Sequence, residues 1–169
     1  MTVNCPTCGE DNIPGEDLCQ NCGMDLAGLD VEAWGLDPED TVLATTLANL
    51  PLKDPLVLRF SSTVTEAIEL MKQQHERCVF VTDDSGALSG VLTERDVVAR
   101  VAAPGRDPAR TRLEEVMTPS PVTLQKEDPL AWALHRMGVD GFRHLPILDK
   151  ERLIGFLSVR TVLEVFRGL

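Results

Sequence analysis

Apolar and polar positions follow a regular order between residues 47 and 169. Apolar side chains recur at helical spacing over 64–74 and 129–139, which predicts two amphipathic helices. Short apolar runs bounded by polar or turn residues predict strands. These runs are 56–58, 78–82, 88–92, 122–124, 145–148 and 153–157. With further helices beginning near Glu94 and near Val159, the order β-α-β-β-α occurs twice.

The two β-α-β-β-α segments are copies of one another. An offset of 66 residues pairs Leu47 with Leu113, Pro55 with Pro121, Ala67 with Ala133, Met71 with Met137, Arg77 with Arg143 and Asp83 with Asp149. One residue then drops out in a polar turn, and an offset of 65 pairs Gly90 with Gly155, Leu92 with Leu157 and Arg95 with Arg160. Because a polar turn tolerates such a gap, the pattern indicates an internal duplication.

Four of the five cysteines lie in two short motifs before the repeats. Cys5 and Cys8 form one C-x2-C-G motif, and Cys19 and Cys22 form the other, with ten residues between them. Two tight turns of this kind direct four thiolates at one tetrahedral zinc ion and leave no open position for catalysis. The spacing therefore predicts a structural zinc ribbon. Its few apolar residues predict that metal binding supplies most of its folding free energy.

The distribution of charge along the chain argues against a nucleic-acid partner. The net charge is −11, and residues 1–52 hold ten acidic residues and no Lys or Arg. Nucleic-acid binding requires clustered basic residues, so the acidic ribbon argues against a DNA or RNA partner. No run is apolar enough for a membrane span, and the start of the chain lacks the pattern of a signal peptide. We therefore expect a cytoplasmic protein with reduced thiols, in which the lone Cys78 is a small buried hydrophobe.

These features predict a division of the chain into five segments. They are a zinc ribbon over 1–24, an acidic connector over 25–46, a first repeat over 47–103, a linker over 104–112 and a second repeat over 113–169. The acidic stretch that includes Pro38 is expected to open a helix over 41–50.

Three strings carry a resemblance to a known family. They are Val116-Met117-Thr118-Pro119, Arg143-His144-Leu145-Pro146-Ile147-Leu148-Asp149 and Gly90-Val91-Leu92-Thr93-Glu94-Arg95-Asp96. In this order and in duplicate, residues 45–168 resemble a tandem pair of CBS domains, called a Bateman module. The resemblance implies an α+β fold in which two β-α-β-β-α domains pack by their sheets about a pseudo-twofold axis. It also implies two equivalent ligand clefts and a homodimer.

The resemblance implies an adenosyl ligand, such as AMP, ADP or ATP. The family's ribose-binding pattern, G-h-x-[ST]-x-x-D, matches Gly90, Thr93 and Asp96. A carboxylate accepts hydrogen bonds from both ribose hydroxyls, although Thr-x-x-Asp at a helix start is also close to a capping box. In the second copy Ser158 fits the pattern but Thr161 replaces the acidic residue, so the second cleft is expected to bind more weakly.

The resemblance also implies cations for the ligand's phosphates. In the family, the basic residues before one domain's central strand reach the nucleotide held by the other domain. Arg143 and His144 are thus expected at the Asp96 cleft, and Arg77 at the Thr161 cleft. The alternative is that these arginines are solvated surface charges.

No catalytic constellation appears in the sequence, because no nucleophile has a neighbouring base and the three histidines lack metal spacing. We therefore expect a regulatory, non-enzymatic sensor of an adenine nucleotide, with a ribbon that could contact a protein partner. Two alternatives stay open. One is a ligand-free adaptor that binds proteins, and the other, disfavoured by the charge, is a DNA-binding regulator.

Overall fold

The computed structural model describes residues 3–5, 7–13, 18–24, 26 and 42–167. The chain divides into two compact units. Unit 1 comprises residues 1–52, 124–147 and 157–169, and unit 2 comprises residues 53–123 and 148–156. Most of the predicted acidic connector lies outside the described residues.

Unit 1 begins with the ribbon. Strand β1 (Val3–Asn4) pairs antiparallel with β2 (Asp11–Asn12), and Asn4 lies opposite Asp11. The turn between these strands carries the first cysteine motif. The Asn4 side-chain amide holds this hairpin by donating to the Gly9 carbonyl at 3.0 Å and to the Asp11 carboxylate at 3.3 Å.

The prediction of a helix over 41–50 is wrong. The described part of that stretch forms two separate 3₁₀ turns, Val42–Ala44 and Leu47–Asn49. The reason is a long-range pairing that local sequence signals do not encode. The backbone amides of Leu47 and Ala48 donate to the carbonyls of Asp128 and Lys126, so they are not available to a continuous helix.

Unit 2 contains most of the first repeat. Between residues 53 and 123 its helices and strands are β3 (Val57–Arg59), α1 (Val64–Gln74), β4 (Cys78–Thr82), β5 (Leu88–Thr93), α2 (Glu94–Asp96) and β6 (Thr118–Pro119). The sheet has the order β3-β4-β5-β6, with β3 parallel to β4 and the other pairs antiparallel. After Asp96 the helix continues as a π-helical segment, Val97–Ala102, which the sequence did not predict.

The core of unit 2 lies between the sheet and its helices. Ala67 and Met71 of α1 and Val101 of the π-helical segment share one buried cluster with Val79 and Leu92 of the sheet. Helix α1 begins at the predicted residue because Thr63 and Glu66 form a reciprocal capping box.

The second repeat has the same order of helices and strands. They are β7 (Leu124–Gln125), α3 (Leu130–Gly138), β8 (His144–Asp149), β9 (Arg152–Ser158) and α4 (Val159–Arg167). The strands form a sheet in the order β7-β8-β9. The α+β class and the twofold occurrence of β-α-β-β-α are confirmed. Within the described part of the chain, none of the helices combines the length and apolar character needed to cross a membrane.

Candidate functional site

The four cysteines of the ribbon form a single cluster. Their sulfur atoms all lie within 4.8 Å of one another. The Cys5 and Cys22 sulfurs are 3.6 Å apart, as are those of Cys8 and Cys19. Zn–S bonds of about 2.3 Å in a tetrahedron place the sulfurs about 3.8 Å apart. The spacing of the thiols therefore fits one zinc ion.

Two equivalent turns bring these thiols together. The Gly9 amide donates to the Cys5 carbonyl at 2.8 Å, and the Gly23 amide donates to the Cys19 carbonyl at 2.8 Å. Both glycines have positive φ, 73° and 69°, a conformation that other residues adopt only with strain. This explains the glycine that follows each C-x2-C pair.

The thiols of the cluster do not ionise independently. Burial opposes ionisation of Cys19, but hydrogen bonds from the Cys22 and Asn21 backbone and from the Cys5 and Cys8 thiols lower its pKa to about 6. The Met24 amide favours the Cys22 thiolate, yet desolvation and the three neighbouring thiols raise the pKa of Cys22 to about 12. Four thiolates in this space require a cation to neutralise them, which Zn²⁺ supplies when bound.

The ribbon packs on helix α3, a contact that the sequence analysis missed. Trp132 packs against the buried cluster of Cys5, Cys19 and Leu26. One turn later, the guanidinium of Arg136 donates to the Thr7 hydroxyl between the first two cysteines. A signal was present, since the 66-residue offset puts Trp132 and Arg136 where the first repeat has Glu66 and Leu70.

Thr93 and Asp96 meet at the start of α2. The Asp96 carboxylate oxygen Oδ2 accepts hydrogen bonds from the Thr93 amide at 2.9 Å and from the Thr93 hydroxyl at 2.6 Å. In return, the Asp96 amide donates to the Thr93 hydroxyl at 3.3 Å. The pair therefore forms a complete capping box, and Oδ1 is the carboxylate oxygen that the box does not use.

Arg100 lies beside the other carboxylate oxygen. Its Nη2 is 3.5 Å from Asp96 Oδ1. The same guanidinium donates to the carbonyls of Val116 at 2.9 Å and Met117 at 2.7 Å, and to the Thr118 hydroxyl at 3.2 Å. The carboxylate is thus held next to the Val-Met-Thr-Pro segment, and the Asp96 side chain keeps 14% of its surface exposed.

In the second repeat, two hydroxyl side chains take the places of Thr93 and Asp96. Ser158 Oγ and Thr161 Oγ1 are 2.9 Å apart, and the Thr161 amide donates to Ser158 Oγ at 3.1 Å. Both residues are buried, with exposed fractions of 7% and 2%. The helix start is therefore capped, but it presents no charged acceptor.

Two of the three candidate cations, Arg77 and Arg143, occupy equivalent places in their own repeats. The Arg77 carbonyl accepts from the Glu94 amide at 3.1 Å, and the Arg143 carbonyl accepts from the Val159 amide at 3.2 Å. Both arginines are exposed, whereas His144, the first residue of β8, is half-buried. Each arginine thus adjoins the helix start of its own repeat through its backbone. The predicted approach of each side chain to the opposite cleft stays a prediction.

A cleft of about 500 Å³ lies between α1 and the start of α2 in unit 2. Its lining includes Met71, Arg77, Glu94 and Val97, but not Thr93 or Asp96. The cleft and the Asp96 carboxylate are therefore different features of the same unit.

Cys78 is confirmed as a buried residue, with 1% of its surface exposed. Burial, with a smaller effect of the Glu76 carboxylate, raises the pKa of the Cys78 thiol to about 12. This thiol is therefore protonated and inert at neutral pH.

Comparison with known proteins gives a family match over both repeats. The model of the CBS domain matches residues 47–103 and 113–168. The CBS domain-containing protein CBSCBSPB2 of Arabidopsis thaliana is 32% identical over 114 residues, which cover 68% of this chain. The match spans only 21% of that relative, so the chain spans about a fifth of the length of this curated relative.

Two solved structures extend the comparison. A putative signal-transduction protein with CBS domains from Burkholderia ambifaria MC40-6 is 27% identical, with a TM-score of 0.67, and the match covers 73% of this chain and 95% of that one. The CBS domain pair of protein MJ0100, in complex with 5′-methylthioadenosine and S-adenosyl-L-methionine, is 20% identical, with a TM-score of 0.65. That match covers 73% of this chain and 97% of the other, and it is a likeness of fold alone.

Proposed function

Because the chain belongs to the CBS domain family, we propose that it is a regulatory module that binds an adenosyl ligand at Thr93 and Asp96 of the first repeat. The observation that carries the proposal is the Asp96 carboxylate, which is held at the start of α2 with one oxygen outside the capping box. A ribose presents two vicinal hydroxyl donors, and one carboxylate oxygen with two lone pairs accepts from both.

One structural neighbour supports this class of ligand. The CBS domain pair of MJ0100 binds two adenosyl compounds, and the ligand in this chain would be of the same chemical class. If the ligand is a nucleotide such as AMP, ADP or ATP, Arg143 or His144 would neutralise its phosphates, and Arg77 would serve the other cleft. The buried Ser158 and Thr161 offer neutral hydroxyls in place of a carboxylate, so the second site would be weaker.

We also propose that the ribbon holds one structural Zn²⁺ through Cys5, Cys8, Cys19 and Cys22. The support is the four converging sulfurs and the hydrogen bonds that close both turns. The ion would replace the core that so short a segment lacks. Elemental analysis of protein purified without added metal tests this, with one zinc per chain expected. Folded, metal-free protein would contradict it.

A homodimer is the proposed assembly. Helix α4 exposes an apolar face of Val159, Leu163 and Phe166, with 40%, 58% and 40% of their surfaces accessible. Their spacing of four and three residues puts them on one side of the helix, where a second copy of the chain would cover them. Light scattering after size-exclusion chromatography tests this, and we expect Leu163→Glu to give a monomer.

The alternative function is a ligand-free adaptor. It is favoured by one observation, namely that the capping box already gives the Asp96 carboxylate hydrogen-bond partners without a ligand. A thermal-shift screen with AMP, ADP, ATP, S-adenosylmethionine and cyclic dinucleotides separates the two functions. Stabilisation by an adenosyl compound supports the sensor, because a ligand that binds only folded protein raises the Tm. Stabilisation by none of them supports the adaptor.

A further inference from the structure

Arg136 is a buried charge in the last turn of α3. Only 4% of its surface is exposed, and its Nη1 donates to the Asp140 carboxylate at 2.9 Å. Its Nε has no hydrogen-bond partner among the described residues. A guanidinium is rarely buried unless it is paired with an opposite charge and with hydrogen-bond acceptors. The segment that buries the Arg136 guanidinium therefore contributes to the stability of the second repeat.

The ribbon supplies the second contact of this guanidinium. Arg136 Nη2 donates to the hydroxyl of Thr7, which lies between the two cysteines of the first motif. That hydroxyl in turn donates to the sulfur of Met24, whose carbonyl accepts from the Cys19 amide at 2.6 Å. One chain of hydrogen bonds thus runs from α3 to both cysteine turns.

Trp132 adds an apolar contact on the same face of α3, four residues before Arg136. It packs against Cys5, Cys19 and Leu26, which make up the buried interior of the ribbon. Two of these three residues are ligands of the proposed metal. The interior of the ribbon and the surface of α3 therefore belong to one packed cluster.

We infer that zinc binding by the ribbon is coupled to the second CBS repeat through Arg136, so that the metal stabilises α3 as well as the ribbon. The inference rests on the metal site proposed above. Without the metal, the ribbon loses the cross-link that holds its two turns, and the cover over Arg136 and Trp132 is lost with it. Coupling of this kind is reciprocal, so a change at Arg136 lowers the affinity for zinc.

The test measures zinc affinity by competition with a chromophoric chelator, using the full chain. Arg136→Met removes the guanidinium and keeps an apolar stem, and we expect its zinc affinity to fall about tenfold, which corresponds to about 1.4 kcal/mol. Arg160→Met is the matched control, because that arginine is 83% exposed and its ion pair is with Glu164 on α4. Its zinc affinity should equal that of the parent.

A second variant keeps the test decisive if Arg136→Met disturbs α3 itself. Thr7→Val removes the accepting hydroxyl without altering the helix, and it should lower zinc affinity in the same direction. Because both changes break one contact, the double variant should lose less than the two single losses combined. Hydrogen exchange of 130–138 should speed up when zinc is removed from the parent.

The possible results distinguish a failure of the proposed coupling from a failure of the proposed zinc site. One zinc per chain, with unchanged affinity in both variants and unchanged exchange in α3, would overturn the coupling and leave the metal site standing. Absence of zinc from the folded parent would overturn both.

Discussion

The carboxylate of Asp96 caps the helix that begins after Thr93, accepting hydrogen bonds from the Thr93 amide at 2.9 Å and the Thr93 hydroxyl at 2.6 Å. The same carboxylate is the proposed ribose acceptor. Loss of Asp96 therefore has two consequences, one for stability and one for binding. An experiment on this residue must separate them.

Asp96→Ala should lower the free energy of unfolding by about 1 kcal/mol, because it removes the side chain that accepts from the Thr93 amide. Asp96→Asn should lose less, since its amide oxygen still accepts. Chemical denaturation measures both variants. An equal loss from the two would show that the charge, and not the capping geometry, stabilises the helix start.

Gly90→Ala should destabilise the first repeat. A Cβ at this position would lie 2.3 Å from the Met117 sulfur and 3.1 Å from the Thr118 carbonyl oxygen. Overpacking of this kind costs about 1–3 kcal/mol. Met117→Ala in the same chain should recover part of the loss, because it removes the nearer atom. Chemical denaturation of the single and double variants measures the free energy of unfolding. If Met117→Ala recovers none of the lost stability, the clash is with the Thr118 carbonyl oxygen and not with the Met117 side chain.

Cys78 should resist modification in the folded protein. Its thiol is buried and its pKa is raised to about 12, so the thiolate is scarce at about pH 8. A colourimetric thiol reagent should detect the four ribbon cysteines after chelation of the metal, and the fifth only after unfolding. Cys78→Ala is the control, and this variant should lack the fifth thiol that reacts only after unfolding. Rapid reaction of a fifth thiol in folded, chelated protein would contradict the buried position.

Glu66 should make stability depend on pH in the acidic range. The Thr63 amide, and after it the Thr63 hydroxyl, donate to its carboxylate and lower its pKa below 4.5. Because the pKa is lower in the folded chain, this contribution is fully present above the unfolded value and is lost as the pH falls through the folded one. The stability difference between the parent and Glu66→Gln should therefore shrink below about pH 4.5.

Glu69→Gln on the same helix is the matched control for Glu66. Its glutamate is exposed and lies outside the capping box. Denaturation curves across the acidic range should show little change in this variant. A pH dependence equal to that of Glu66→Gln would assign the effect to the overall charge of the protein.

Local signals were sufficient for much of the fold. Helix α1 was predicted at 64–74 from its apolar spacing alone, and the capping box that fixes its start lies within the same few residues. The stretch 41–50 was predicted wrongly because its amides pair with carbonyls about eighty residues later. The π-helical turns after Asp96 have no comparable local signal.

The same distinction holds for the candidate sites. The Thr93–Asp96 contact follows from a spacing of three residues within one turn, and the cysteine cluster follows from two such spacings in a duplicated motif. The docking of the ribbon on Trp132 and Arg136 joins residues about 105 to 130 positions apart, and no motif encodes it. One sequence signal did indicate the contact. Helix α3 differs from α1 at two equivalent positions, where Trp132 and Arg136 replace Glu66 and Leu70.

Calorimetric titration with the adenosyl compound that raises the Tm most is the direct test of the sensor proposal. We expect one tight site in the parent, loss of it in Asp96→Ala, and little change in Thr161→Ala. A charge-assisted bond to a ribose is worth roughly 1.5–3 kcal/mol, or about one to two decades of affinity. Glu66→Ala loses the equivalent cap on α1 and should bind as the parent does. Equal losses from Asp96→Ala and Thr161→Ala, or two equal sites in the parent, would contradict the account.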